Sequence, residues 1–270
     1  MSTPPTLVCV HAHPDDESFF GAGASAHYAA LGHRVVLITC TYGQLGLDLA
    51  GRPGNDALHD SLETKSVRAG ELQRATALLG FSRVVTLGFE DSGMKGWPEN
   101  DDPNAFMNAD VDAVARTIAS IIDGERAAVV VTYDENGFYG HPDHVQANVV
   151  TRRALDFSSS AERLYYPVVP RGVITKFVAG AKELDLSMPA WVLDAGTNIP
   201  DELVATTMDV SAYARLKQEA MATHASQIDN GDLVRMNEEL FTLLFGTEYY
   251  QRAWSRHEAM DDDADLFGGL

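Results

Sequence analysis

The sequence predicts an α/β fold on a mostly parallel sheet, with its chemistry at the carboxyl ends of the strands. Three observations carry this. Short continuous apolar runs alternate with segments of helical spacing. A glycine stands just past the helical segments. Two polar clusters follow directly on the first and fourth apolar runs, where open parallel sheets place their ligands. The apolar runs are Thr6–Val10, Val35–Thr39, Val84–Leu87 and Ala127–Thr132, continuous as strands buried on both faces require. Between them, Ser18–Leu31 is Ala-rich and stops at Gly32. Leu62–Leu79 carries Val67, Leu72, Ala75, Leu78 and Leu79 and stops at Gly80. Val111–Ile122 carries Val114, Ile118, Ile121 and Ile122 and meets Gly124. A further helix runs from Pro142 to about Leu155. Beyond it, Leu164–Val169 reads as a strand interrupted by Pro167, and Leu203–Val210 as another. Val210–Ala225 and Leu233–Leu244 read as helices.

One domain over residues 1–270 is expected, with a core at 5–155 and a less regular part at 156–270 that completes the fold and the pocket. The loops Tyr42–Asp60 and Gly88–Asn108 are long and rich in Gly, Asp and Pro, a length that in a compact domain points to function. The tail 259–270, with Asp261, Asp262, Asp263 and Asp265, reads as a solvated, mobile end.

Twenty Lys and Arg stand against 39 Asp and Glu, a net charge of −19. A polyanion gains nothing from phosphate neutralisation, which argues against nucleic acid and anionic membrane surfaces as partners. A small molecule is the expected partner, and a homo-oligomer is compatible with the composition. Cys9 and Cys40 lie in apolar runs and read as buried thiols, which excludes a disulfide scaffold. No stretch is apolar enough for a membrane span, and no signal segment opens the chain, so a soluble cytoplasmic protein is expected.

The first strand runs into His11-Ala12-His13-Pro14-Asp15-Asp16-Glu17, and the fourth leads to Gly140-His141-Pro142-Asp143-His144. Each cluster alone reads as well as a helix cap. Together they supply imidazoles and carboxylates, the ligands of a borderline metal. His13, Asp16 and His144 form a three-ligand set that leaves a position for water. Asp15, His141 and Asp143 then stand nearby, uncommitted, as hydrolysis requires.

AHPDDE after one strand and GHPDH after a later one resemble the zinc-dependent N-acetylglucosaminyl deacetylase superfamily (LmbE-like, PIG-L), most strongly over residues 5–155. Its members include deacetylases of N-acetylglucosaminyl-phosphatidylinositol and of the sugar precursors of mycothiol and bacillithiol. The resemblance implies a Rossmann-like three-layer sandwich and ligation of Zn²⁺, or alternatively Fe²⁺, by His13, Asp16 and His144. It implies Asp15 as general base and His141 as acid or oxyanion stabiliser. It matches Tyr139 to a tyrosine that swings onto the reacting carbonyl. It matches Arg68, and Asp91 of Asp91-Ser92-Gly93-Met94, to residues that grip the sugar. Asp143 is expected to orient His141 and raise its pKa. Gln44 stands where the family commonly has a glutamate, so the aglycone specificity is expected to differ. The expected reaction removes the N-acetyl group from an N-acetylglucosamine-containing small molecule.

Three rivals are weighed. An amidase of a glucosaminyl thiol conjugate releases amine without acetate. A non-haem iron oxygenase shares the two-His-one-carboxylate set, but its usual host is a β-barrel, not alternating strands and helices. A non-catalytic sugar-binding Rossmann module is opposed by the lack of GxGxxG after the first strand and by the open ligand position.

Overall fold

The computed structural model describes residues 4–183, 198–227, 231–257 and 265–270. Its seven-stranded sheet has the order β3-β2-β1-β4-β5-β7-β6. The strands are β1 Thr6–His11, β2 Val35–Thr41, β3 Arg83–Phe89, β4 Ala127–Val131, β5 Arg163–Val168, β6 Thr206–Asp209 and β7 Thr247–Ser255. β1 to β5 pair in parallel, whereas β7 runs antiparallel to both β5 and β6. Pro167 lies beyond Tyr165, the last residue of β5 paired with β4, where a missing N–H is tolerated.

The first four expected strands stand where the sequence places them. Successive strand residues face opposite sides, and the helices cover both. On one face Val8, Val10, Val36, Ile38 and Val130 pack with Val114, Ile118 and Ile122 of α4 (Val111–Gly124) and with Val150 and Ala154 of α6 (Pro142–Leu155). On the other, Leu7, Cys9, Val35, Leu37 and Val129 pack with Ala24 and Tyr28 of α2 (Ala22–Ala30) and Leu72 of α3 (Ser61–Leu78). This is a three-layer sandwich. Cys9 and Cys40 are buried and unpaired. Among the described residues no helix is long and apolar enough to cross a membrane.

Four expectations need correction. The helix expected over Ser18–Leu31 is two, α1 (Asp16–Phe19) and α2, because Gly21 takes φ 77° between them. The helix expected over Leu233–Leu244 is likewise two, α9 (Gly231–Val234) and α10 (Glu238–Phe245), the second capped by Asn237 accepting from Leu240 N–H. The strand expected over Leu203–Val210 shrinks to β6, and a helix, α7 (Arg171–Glu183), stands where none was expected. Finally, the described part of the tail is not solvated throughout: Gly269 and Leu270 are exposed, but the residues before them are not. Leu266 and Phe267 are buried in the cluster around Tyr28, with Leu266 N–H donating to the Tyr28 hydroxyl at 2.9 Å. Asp261, Asp262 and Asp263 lie outside the described residues.

The strand order reverses between β1 and β4. The crevice beyond their carboxyl ends is where such sheets bind ligands, and both polar clusters emerge there.

Candidate active site

After β1 the chain folds back on itself. Asp16 Oδ2 accepts from His13 N–H at 2.8 Å, which brings the carboxylate beside its own histidine. Asp15 sits at φ 119°, a region that favours glycine, and its side chain does not cap α1. After β4 comes Tyr133 and then the single turn α5 (Gly137–Gly140). His141 opens α6, its Nδ1 accepting from Asp143 N–H at 3.1 Å, with Pro142 in the first turn, where no N–H is missed.

The structure brings His13, Asp16 and His144 together. His13 Nδ1 is 3.2 Å from His144 Nε2 and 3.5 Å from Asp16 Oδ2, and His144 Nε2 is 3.5 Å from Asp16 Oδ1. A tetrahedral cation with bonds of about 2.1 Å separates its ligands by roughly 3.4 Å. The proton positions agree. His144 Nδ1 is 3.2 Å from Gly137 O, a pure acceptor, so that nitrogen carries the hydrogen. His13 Nε2 is 3.2 Å from Asp143 Oδ2 and carries the hydrogen there. Two ring nitrogens therefore face each other beside a carboxylate, all buried, a donor set that a cation stabilises. Burial would lower the His13 pKa, but Asp91, Asp143 and Asp16 raise it well above its ordinary value, so a proton is drawn to the place where a cation would sit. His13, Asp91, His141 and Asp143 also converge. That second cluster uses the protonated edge of His13 and suits a cation less well.

The supports around the set are partly those expected and partly new. Asp143 does not reach His141 with its carboxylate. It holds His13 and is itself fixed by Ser92, which donates from N–H at 2.9 Å and from its hydroxyl. Burial pushes the His141 pKa down to about 3, helped by His13 and His144 nearby, and outweighs the upward effect of Asp91 and Asp143. Burial also takes His144 down to about 4, keeping it neutral as a ligand must be. Burial would raise Asp16, but His144 and His13 hold it well below the usual range.

Tyr133 escaped the sequence reading. Its hydroxyl donates to Asp16 Oδ2 at 2.6 Å and accepts from Ala12 N–H at 2.8 Å, and its ring stacks on His144 with centroids 4.1 Å apart. The available signal was its place immediately after β4, at the strand end that faces the crevice. Tyr133→Phe should weaken cation affinity roughly 10–100-fold, the usual cost of losing a hydrogen bond to a ligand. Cation titration of the stripped variant measures it, and unchanged affinity would remove Tyr133 from the site.

A cavity of about 170 Å³ opens over the donors. Asp15, His141, Tyr139, Arg68, Asp91 and Met94 line it, as do Leu45, Gly46, Trp97 and Gln227, which the sequence did not single out as site residues. Tyr139 is 44% exposed, so its phenol is free to meet a ligand. Burial pushes Asp15 up to about 6, against the opposing effect of Arg68. Burial would raise Asp91, but His13 and His141 keep it below its ordinary value.

Arg68, expected on the sugar, lines the cavity and also holds protein groups, and Gln44 lies behind the cavity wall. Arg68 is 3% exposed and donates to Gly43 O, Pro14 O and Asp15 Oδ2, the last at 2.8 Å. Its fork clamps the Asp15 segment. Gln44 is buried behind Asp91, accepting from Asp91 N–H at 3.2 Å. The loop from Tyr42 runs flush against this clamp. A Cβ on Gly46 would lie 2.6 Å from both Arg68 Nη1 and Gln227 Oε1, so a larger residue there would push both side chains aside. His224 is not on the pocket wall. It is buried behind it, with Nε2 2.7 Å from Glu17 Oε1. Burial would lower the His224 pKa, but Glu17 raises it on balance.

Known proteins resemble this chain in sequence and in fold. Residues 8–155, more than half of the chain, match the family described as PIG-L, GlcNAc-PI de-N-acetylase. The 1D-myo-inositol 2-acetamido-2-deoxy-alpha-D-glucopyranoside deacetylase of Geodermatophilus obscurus is 37% identical, over 98% of this chain and 97% of its own. That of Acidothermus cellulolyticus is 38% identical, over 98% and 95%. Among solved structures, a deacetylase of teicoplanin biosynthesis superposes with TM-score 0.60 at 18% identity, over 92% of this chain and 98% of its own. N,N'-diacetylchitobiose deacetylase from Pyrococcus horikoshii does so with 0.57 at 17%, over 92% and 82%. At these identities the structural likenesses speak for the fold, which a 4-carboxy-2-hydroxymuconate hydratase from Pseudomonas putida also shares (TM-score 0.58, 14% identity, over 95% and 99%). The family match and the near full-length likeness to the curated relatives go further: this chain belongs to the PIG-L family and is an N-deacetylase.

Proposed function

We propose that the chain removes the acetyl group from an N-acetylglucosaminyl cyclitol, the substrate class named for its relatives, using a divalent cation held by His13, Asp16 and His144. Zinc suits the two imidazoles and one carboxylate best, with Fe²⁺ the alternative. The observation that carries the reading is the pair of inward-facing ring nitrogens, His13 Nδ1 and His144 Nε2, 3.2 Å apart beside Asp16 and adjoining Asp15. A cation bound there polarises the amide carbonyl and lowers the pKa of water toward ~7.

The rest is the work of side chains. Asp15, clamped by Arg68, takes a proton from the attacking water and afterwards returns it to the leaving amine as the C–N bond breaks. Of the two roles the sequence left to His141, the geometry favours the oxyanion donor. Its Nδ1 accepts from Asp143 N–H, so the neutral ring carries its hydrogen on Nε2. Tyr139 adds a second donor to the same oxygen. Asp91 accepts from a sugar hydroxyl, and Met94 and Trp97 offer an apolar wall to the cyclitol.

The test is a panel of N-acetylglucosaminyl inositol, N-acetylglucosamine, its β-linked oligomers and glucosaminyl thiol conjugates. Acetate and free amine should appear in equal amounts, fastest with the inositol. Amine without acetate would replace this reading with a conjugate amidase.

A further inference from the structure

We infer that the buried Glu17–His224 pair is a positioning device for Asp15, through which the C-terminal part of the chain sets the geometry of the general base. The proposal rests on Asp15 being that base.

Asp15 cannot hold itself. Its φ of 119° is unfavourable for any residue with a Cβ, so something must fix the backbone there. Two groups do. Arg68 takes the Asp15 carboxylate and the Pro14 carbonyl from the pocket side. From behind, Asp15 N–H donates to Glu17 Oε2 at 3.0 Å, a carboxylate two residues along the same turn.

Glu17 is fully buried, and its grip on Asp15 depends on where its own second oxygen is held. Oε1 accepts from the Ser18 hydroxyl at 2.8 Å and from His224 Nε2 at 2.7 Å. His224 comes from 207 residues away, at the end of α8 (Ala214–Thr223), where its own N–H is tied to Met221 O. The segment after it is anchored as well. Ser226 donates to Glu71 from N–H and hydroxyl, and the Gln227 side chain bonds both N–H and C=O of Leu47. His224 is thus a rigid donor, and it touches neither the pocket nor the three cation ligands. A solvated surface pair would not serve. A buried, charge-assisted hydrogen bond can hold one rotamer of Glu17 against the strain at Asp15. Without the donor, the carboxylate can rotate away from Asp15 N–H, and the base loses its alignment with the attacking water.

Four proteins test this: wild type, His224→Leu, Asp15→Asn and the double variant. His224→Leu should lower kcat about 10–100-fold, as misplacement of a catalytic group does, with KM changed less than about twofold and one cation bound per chain. His224→Gln, which keeps an N–H donor, should recover most of the loss. In the Asp15→Asn background the same Leu substitution should change the residual rate less than about twofold, because the group it positions is already gone. Equal fold-losses in both backgrounds, or an undiminished kcat in His224→Leu, would overturn the proposal. Should the Leu variant not fold, Glu17→Asp, which draws the carboxylate back from Asp15 N–H, must show the same pattern. Full activity of Asp15→Asn alone would strike the general-base reading instead, a separate outcome.

Discussion

Asp15→Asn should lower kcat by roughly 10²–10⁴-fold while leaving the cation in place, the range over which a positioned general base contributes. The separation of the two effects follows from geometry. Asp15 adjoins the donors, but the proposed set of His13, Asp16 and His144 does not include it: the two ring nitrogens are 3.2 Å apart, and each is 3.5 Å from one oxygen of the Asp16 carboxylate. Asparagine is also among the residues that best tolerate a positive φ, so the turn at 119° survives. Its amide still accepts from Arg68, but it cannot take a proton from water. KM should change little. Metal analysis beside steady-state kinetics checks both halves, and a variant that lost its cation, or kept full rate, would place Asp15 elsewhere in the mechanism. His144→Ala is the complement: it should lose cation and activity together.

Lys217→Met should destabilise the fold by about 3 kcal/mol or more, the usual cost of leaving a buried charge without its partner. Glu248 on β7 is 7% exposed and Lys217 on α8 is 4% exposed, with Nζ 2.8 Å from Oε1. The carboxylate has other duties. It accepts from Gly23 N–H and Ala24 N–H, both at 2.9 Å, and so satisfies the open amides at the start of α2 from the far end of the chain. Tyr250 donates to it as well, at 2.7 Å. Burial would raise the Glu248 pKa, but Lys217 and these donors hold it below its ordinary 4.5. A carboxylate depressed on folding stabilises above its unfolded value and loses that contribution as pH falls through the folded one. The wild type should therefore weaken below about 4.5, and Lys217→Met, whose Glu248 sits higher, should weaken at higher pH than wild type. Denaturant unfolding at pH 7 and at pH 4 measures this. Equal stability of the two proteins at pH 7 would mean the pair contributes nothing.

What the sequence revealed and concealed follows from the range of the interactions. The first four strands carry their own signal: β1, β2 and β4 are apolar because they are covered on both faces, whereas β3, at the sheet edge and partly exposed, keeps an apolar run without that cover. The two polar clusters were legible for a related reason: each stands at a strand end, and the strand order places both at one crevice. β7 was not legible. Its Glu248 reads as solvent-facing until Lys217 and the amides of α2 are brought to it, so the alternation of the strand was obscured. Asp143 was assigned to His141 because they are neighbours in sequence, whereas its carboxylate meets His13, 130 residues away. The hold of Arg68 on Asp15 was hidden for the same lack of context. A guanidinium on a helix carries no mark of which carboxylate it will meet. Trp97 and Gln227 sit in irregular segments whose path depends on everything else, and neither has a local signature.

The most direct measurement is acetate release from N-acetylglucosaminyl inositol by chelator-treated protein as zinc is titrated back. Release should be nil without the ion, rise in step with occupancy and reach its plateau at one ion per chain, with free amine equal to acetate throughout. Undiminished release in the presence of chelator, or a plateau in a His13→Ala, His144→Ala protein that matches wild type, would contradict a cation-dependent deacetylase built on His13, Asp16 and His144.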